Sequence, residues 1–161
     1  MRKYSLVMAV LLLMATWAVA KDEPKFKSIE VKHFPNAEGV ELPPEFSDYL
    51  YAELRATLQK KKLADQLLGE DEVVDPADAP KSAILEGSVL EYKKGSVVKE
   101  SLIGFGAGGR SLTAHIKVTR RSNNEIIVEK DIKVRAMARW DPKTLAKFLA
   151  NSIAGQLKHS D

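Results

Sequence analysis

No cysteine occurs among the 161 residues of this chain. The absence excludes disulfide bonds, thiolate metal sites and cysteine nucleophiles. It also excludes a bacterial lipid anchor, which requires a cysteine directly after the cleavage site of a leader. We therefore expect a domain that is stabilised by one hydrophobic core and is not a lipoprotein.

Long apolar runs are also scarce, and the clear example lies at the amino terminus. Positive charge at residues 1–3 precedes an apolar run over residues 6–15, and Ala18-Val19-Ala20 supplies the small-x-small pattern of a signal peptidase site. The run is shorter than the roughly 20 apolar residues that a membrane-spanning helix needs. The pattern predicts a signal peptide over residues 1–20, cleaved after Ala20, and a periplasmic or secreted protein with no membrane span after cleavage.

An excess of charge of one sign is missing once the leader is removed. Loss of Arg2 and Lys3 leaves 23 of the 25 basic residues against 22 acidic ones. No electrostatic footprint for nucleic acid remains, so we expect no nucleic-acid partner. Residues 21–161 have the length of a single domain.

Hydrophobic periodicity predicts the first elements of that domain. Residues 26–34 alternate imperfectly and predict a strand. Apolar side chains then recur every four residues from Phe46 to Leu58, which predicts a helix. Residues 63–68 fit either an extension of this helix or a short edge strand, and residues 69–80 predict a solvated acidic loop.

The second half of the chain predicts strands. Residues 82–92 and 112–119 alternate in the pattern of strands, and a turn at residues 122–124 leads to a return strand over residues 126–136. Lys130 falls on the apolar face of the return strand, which predicts a bulge near residues 129–131 or two separate strands.

A final helix has explicit start signals. Asp141 is an N-cap candidate, Pro142 takes the first helical position, and Trp140 with Leu145 matches a hydrophobic staple. The predicted buried stripe consists of Leu145, Phe148, Leu149, Ile153 and Leu157. Strands and helices segregate, so we expect an α+β fold: a two-layer sandwich with a mostly antiparallel sheet and two helices on one face, in the order strand–helix–strands–helix.

A glycine-rich segment, residues 104–109, carries the one motif-like pattern of the domain. Its glycines satisfy the G-x-G-x-x-G spacing of a dinucleotide site. That site requires the loop to open a helix whose N-terminus holds the pyrophosphate, whereas the residues that follow predict a strand. We therefore expect no cofactor. The segment predicts either a flexible connection between strands or a backbone that approaches another surface closely.

Apolar residues flank these glycines in a predicted exposed loop, which favours a contact surface. The candidate contact residues are Leu102, Ile103, Gly104, Phe105, Gly106, Ala107, Gly108, Gly109 and Arg110.

Two segments resemble a known family. Ile84–Tyr92 (ILEGSVLEY) and Ser101–Gly108 (SLIGFGAG), followed by an alternating hairpin, are similar to an uncharacterised group of bacterial envelope proteins, domain of unknown function 4410. The resemblance covers roughly residues 26–158. It implies a layout like that of the curli secretion channel subunit and the Tol-system periplasmic protein, a role in envelope assembly, and no reaction. Many members resemble lipoproteins, and this chain departs from them because it lacks the anchoring cysteine.

No set of residues predicts catalysis or metal binding. The spacing of His33, His115 and His159 matches no metal motif. Ser101 and Ser111 flank the glycines but do not stand in a G-x-S-x-G elbow. We therefore expect a non-enzymatic protein that binds an envelope protein, another envelope component or further copies of itself.

Two other interpretations stay open. The protein could be a small-ligand carrier or hydrolase with a site formed only in the fold, in a deep pocket lined by Tyr49, Tyr92 or His115. The basic residues of the predicted hairpin could pair across strands with Glu129 and Asp131, or they could form a face that attracts anions. These basic residues are Lys117, Arg121, Lys133 and Arg135.

Overall fold

The computed structural model describes residues 24–103 and 108–160, so the predicted signal peptide lies outside the described residues. The elements, in chain order, are β1 (Phe26–Val31), α1 (Phe46–Lys60), β2 (Ala64–Leu68), β3 (Ser82–Lys93), α2 (Val97–Ile103), β4 (Arg110–Arg120), β5 (Ile126–Ala136) and α3 (Lys143–His159), with a 3-10 turn at Ala79–Lys81. The predicted α+β class is confirmed. The short helix α2 was not predicted.

The five strands form one mixed sheet in the order β2-β1-β3-β4-β5. β1 pairs in parallel with both β2 and β3, whereas β3, β4 and β5 pair as antiparallel neighbours. A buried polar contact fixes the parallel register, because the Ser28 hydroxyl donates to the Ser82 hydroxyl at 2.8 Å. The Ser82 hydroxyl donates in turn to the Asp78 carbonyl at 2.8 Å. The antiparallel half matches the prediction, and the parallel half was not foreseen.

The core lies between this sheet and the two long helices, α1 and α3, which pack against each other as well as against strands. Its largest fully buried side chains are Ile29, Val31, Leu50, Leu54, Leu58, Leu85, Leu112, Ile116, Leu145, Leu149, Ile153 and Leu157. Burial of each such side chain contributes roughly 1.5–3 kcal/mol. The apolar residues that recur at helical and at strand spacing in the sequence therefore pack into one core.

Within the ambiguous residues 63–68, Ala64–Leu68 form the edge strand β2 rather than an extension of α1. The chain leaves the helix through Lys62, whose φ is 52°, and the Leu63 amide donates to the Leu58 carbonyl at 3.2 Å. This left-handed exit ends the helix and turns the chain into β2.

Lys130 requires no bulge, which corrects the prediction at this position. β5 is continuous from Ile126 to Ala136, and its register shift lies opposite Val118 and Thr119 instead. Lys130 stays on the apolar side of β5 because its ammonium donates to the Gln156 side chain of α3 at 2.8 Å. A long side chain can thus cross apolar surface and still satisfy its charge.

Candidate interaction surface

Two chain connections emerge side by side at one end of the sheet. Lys93 at the end of β3 pairs with Ser111, and Arg110 at the start of β4 pairs with Ala136 at the end of β5. The β3–β4 connection, which contains α2, and the β5–α3 connection therefore leave the sheet from neighbouring strands.

Exposed apolar side chains concentrate on these connections and at the start of α3. Val97, Val98 and Leu102 of α2 are 58%, 66% and 78% exposed. Trp140 and Phe148 are 39% and 36% exposed. We call these five residues the apolar end. Scattered single apolar residues on a surface need no explanation, but a concentration of them marks a contact surface.

Glycine closes the base of the β3–β4 connection. Gly95 has φ 71°, and a Cβ at this position would lie 2.7 Å from the Gly108 carbonyl oxygen. The same carbonyl accepts a hydrogen bond from the Ser96 amide at 2.6 Å. The segment that enters the connection and the segment that leaves it are therefore in close contact where they meet β3 and β4. We call this contact the base of the connection.

The candidate contact residues fall partly within the described chain. Leu102 is strongly exposed on α2, Gly108 is buried, and Gly109 and Arg110 are half-buried. Residues 104–107 lie outside the described residues, as does the side chain of Ile103. A contact role for the whole set stays a prediction.

The aromatic part of the apolar end was missed by sequence reasoning. Phe148 belongs to the predicted buried stripe, but it is 36% exposed and packs edge-on against Trp140, with ring centroids 6.1 Å apart. Trp140 therefore contacts Phe148, and the predicted staple between Trp140 and Leu145 stays a prediction. The Asp141 carboxylate accepts a hydrogen bond from the Lys143 amide at 2.8 Å, but the N-cap position falls on Pro142 rather than on Asp141, and α3 begins at Lys143.

Arg110 lies at the root of the β3–β4 connection. Its Nε and Nη1 atoms are buried and have no acceptor among the described residues. Burial raises the pKa of the nearby Tyr92 phenol, and the Arg110 charge partly opposes that rise. The Tyr92 ring lies 6.3 Å from the Phe46 ring, which links this end of the sheet to α1.

Charge is distributed unequally between the two ends of the sheet. Residues 93–111 and 133–143, at the apolar end, contain eight basic residues and two acidic ones. Residues 69–80, which lead into the opposite end of β3, contain five acidic residues and no basic one. The net charge of the domain is near neutral, but basic residues are concentrated at one end of the sheet and acidic residues at the other.

The outward face of the β4–β5 hairpin carries both basic and acidic side chains. Lys117 lies opposite Glu129, and His115 lies opposite Asp131. The His115 Nδ1 atom is 2.8 Å from Asp131, and its Nε2 atom is 3.5 Å from Glu129. Lys133 reaches Glu91 of β3 at 3.3 Å. The ion pairs of this face therefore involve His115 and Lys133, and the predicted pairing of Lys117 and Arg135 with Glu129 and Asp131 stays a prediction.

Arg121 does not belong to that face, contrary to the prediction. It turns to the side chain of Glu30, which is 5% exposed, and forms an ion pair with it. The Asp71 amide also donates to Glu30 at 3.4 Å. A buried carboxylate on β1 is thus neutralised from the end of β4.

The three residues expected to line a deep pocket have different surroundings. Tyr92 lines an open pocket of about 360 Å³, and the other residues that line it are Gly39, Val40, Glu41, Leu90, Glu91 and Lys94. Tyr49 instead lies under the Lys143 ammonium, 4.9 Å from its ring centre. His115 remains on the hairpin ladder. Within residues 24–103 and 108–160, no cluster of three or more His, Cys, Asp or Glu side chains could hold a metal ion.

None of the helices in the described part of the chain has both the length and the apolar character to cross a membrane. The fold and the surface together define a small α+β domain with a charge-paired sheet face and an apolar, basic end.

The chain belongs to the family "Domain of unknown function (DUF4410)", whose model matches residues 30–138. No curated protein gives a significant match to the chain.

Solved structures share the fold at low sequence identity. A dodecamer of a PelC variant from Paraburkholderia phytofirmans is 14% identical, with a TM-score of 0.60 over 86% of this chain and 91% of that chain. Protein XCC0632 from Xanthomonas campestris, of the family DUF330, is 8% identical, with a TM-score of 0.56 over 84% and 86%. The hypothetical protein CT253 from Chlamydia trachomatis is 12% identical, with a TM-score of 0.51 over 82% and 98%. These likenesses establish the fold.

Proposed function

We propose that this protein is an exported, non-enzymatic module of the cell envelope that uses its apolar end to dock on another envelope component. The observation that carries the proposal is the 58–78% exposure of Val97, Val98 and Leu102 on a connection held shut at its base by Gly95. Exposed aliphatic side chains on a short ordered helix are costly in water and favour a contact.

The proposal includes the rest of the predicted contact segment, residues 102–110, and the export signal over residues 1–20. The working domain is then residues 21–161, a two-layer sandwich that is periplasmic or secreted and carries no lipid on cysteine. Support comes from the leader pattern, from the lack of cysteine in the sequence and from the packing of α1 and α3 on the sheet.

Envelope fractionation after mild cross-linking tests the docking role. We expect wild-type protein to be retained with the envelope fraction. The triple variant Val97→Ser, Val98→Ser, Leu102→Ser should be released into the soluble fraction, because it removes most of the exposed aliphatic surface of α2. Circular dichroism should show that the variant remains folded.

A matched control is provided by Val73 and Ile126, which are 94% and 51% exposed and lie away from the apolar end. Their replacement by serine should leave retention unchanged. Equal retention of wild type and the α2 variant would contradict the docking role, as would release of the wild type itself.

A second candidate is a self-assembling subunit, favoured by the dodecameric state of the PelC structures that share this fold. Light scattering after size exclusion should then give a mass several times that of one chain. A monomer at high protein concentration would remove this candidate.

A further inference from the structure

We infer that the apolar end binds the surface of an anionic phospholipid bilayer. The inference rests on the proposed function and names the docking partner by its chemistry. Two independent properties of the described residues carry it: exposed apolar side chains, and basic side chains that surround them.

The apolar side chains have the composition of a membrane-interface segment. Val97, Val98 and Leu102 supply aliphatic groups for the acyl region. Trp140 is partly exposed on the neighbouring β5–α3 connection. Its indole combines an apolar ring with a polar N–H, the property that places tryptophan at the boundary between headgroups and acyl chains.

The surrounding basic residues match the charge of anionic headgroups. Lys93, Lys94 and Lys99 flank or interrupt the aliphatic residues of the β3–β4 connection, and Arg139 and Lys143 flank Trp140; all five are exposed. Lysine is depleted in the cores of protein interfaces, whereas at a lipid surface its stem lies along apolar groups and its ammonium reaches phosphate. The mixture therefore favours a bilayer over a protein partner.

The geometry fits shallow insertion. α2 has seven residues and is thus about 10 Å long, the depth of an interfacial contact rather than of a span. The acidic residues 69–80 lead into the opposite end of β3. With the basic end toward the bilayer, this acidic segment lies on the far side, where it does not repel the headgroups.

Vesicle binding of the processed protein tests the inference. The probes are vesicles of phosphatidylcholine alone and vesicles of phosphatidylcholine and phosphatidylglycerol in equal parts. The sequence has two tryptophans, so Trp17→Phe makes Trp140 the sole emitter whether or not the leader is cleaved. We expect co-sedimentation with the anionic vesicles and a blue shift of Trp140 emission, both weakened by salt.

Charge variants distinguish binding through the apolar end from a general attraction of a basic protein to anionic vesicles. Lys94→Gln with Lys99→Gln should lower the partition coefficient about thirtyfold, since each lysine near an anionic surface contributes about a fivefold step and the two steps multiply. The control is Lys81→Gln with Lys158→Gln, which makes the same change in net charge on exposed residues elsewhere. The control should change partitioning less than about threefold, because these lysines lie beyond a Debye length of about 8–10 Å from the bilayer.

Three outcomes would overturn the inference: no binding to anionic vesicles, equal binding to neutral vesicles, or equal loss in the two lysine pairs. Wild-type protein that is retained by the cell envelope through α2 yet ignores anionic vesicles would identify a protein partner or a second copy. The lipid inference would then fail while the proposed function stands. Release of the wild type from the envelope would instead end the proposed function.

Discussion

At the scale of single residues, Gly87 shows how a missing side chain shapes the core. A Cβ at this position would lie 2.5 Å from the His115 carbonyl oxygen and 2.7 Å from the Phe34 ring. Phe34 is 2% exposed and belongs to the core. The glycine therefore lets an aromatic ring from the chain beyond β1 lie directly on β3.

We predict that Gly87→Ala lowers the free energy of unfolding by about 1–3 kcal/mol, since neither a backbone carbonyl nor a packed ring can move cheaply. Urea unfolding measures the change. Gly155→Ala is the matched control, because nothing lies within 4 Å of that position in α3 and alanine favours the helix. The control should be neutral or stabilising. A Gly87 variant as stable as its control would refute the close packing.

The pair formed by Glu30 and Arg121 yields a second prediction at this scale. Glu30→Leu should cost roughly 3–5 kcal/mol, because it leaves the partly buried guanidinium without its carboxylate. The double variant Glu30→Leu, Arg121→Leu should recover much of the loss. Denaturant unfolding measures the free energy of unfolding of both variants. Equal stability of the single and double variants would show that Glu30 and Arg121 are not coupled.

At the scale of elements, the β3–β4 connection depends on its closed base. Gly39 and Gly95 both have positive φ, 78° and 71°, but only Gly95 has a close neighbour, the Gly108 carbonyl oxygen. We predict that Gly39→Ala costs about 1 kcal/mol from backbone strain alone. Gly95→Ala should cost more and should speed amide exchange at Ser96. Equal effects of the two substitutions would argue against the closed base.

The sequence predicts the elements whose pattern is local. The β4–β5 hairpin and α3 follow from alternation over eleven-residue strands and from helical spacing of buried leucines. β2 has only five residues, too few for periodicity to separate it from the end of α1. The parallel pairing of β1 with β2 and β3 cannot be predicted from any short segment of the sequence, because each partner strand is remote in the chain.

The candidate surface was only partly foreseen, for a similar reason. Leu102 was expected at a contact from its place beside the glycines. The glycines around α2 indicate a loop, and for this reason the helix was not predicted. Ser96 before Val97 and Val98 nevertheless resembles a helix start. The Lys99 amide does donate to the Ser96 hydroxyl at 3.4 Å. Phe148 has the spacing of a buried residue. Its exposure depends on the direction in which α3 leaves the sheet, which is a tertiary property.

At the scale of the whole molecule, acid should weaken the fold. The pKa values of Glu70, Glu91 and Glu125 are held below 4.5 by hydrogen bonds, chiefly from the His33 backbone to Glu70, from Lys93 to Glu91 and from Arg120 to Glu125. A lowered pKa in the folded state means that the stabilisation is present above 4.5 and is lost as pH falls through the folded values.

We therefore predict a melting temperature that declines as pH falls below about 4.5, followed by calorimetry or circular dichroism. The three carboxylates are exposed, so added salt should reduce the effect. Glu70→Gln should remove part of the dependence by removing the proton-binding group next to His33. A melting temperature that is flat down to the folded pKa values would contradict these assignments.

The position of β1 between β2 and β3 has a consequence for how the chain reaches its native state. β1 is the earliest strand of the described chain, yet both of its neighbours are synthesised later, β2 after α1 and β3 after the acidic loop. The hairpin half can assemble from adjacent sequence, but the parallel half must wait for distant partners, which slows its formation. During synthesis from the amino end, the backbone of β1 would emerge with both edges unpaired, so this interval is the one in which a holding chaperone would matter most.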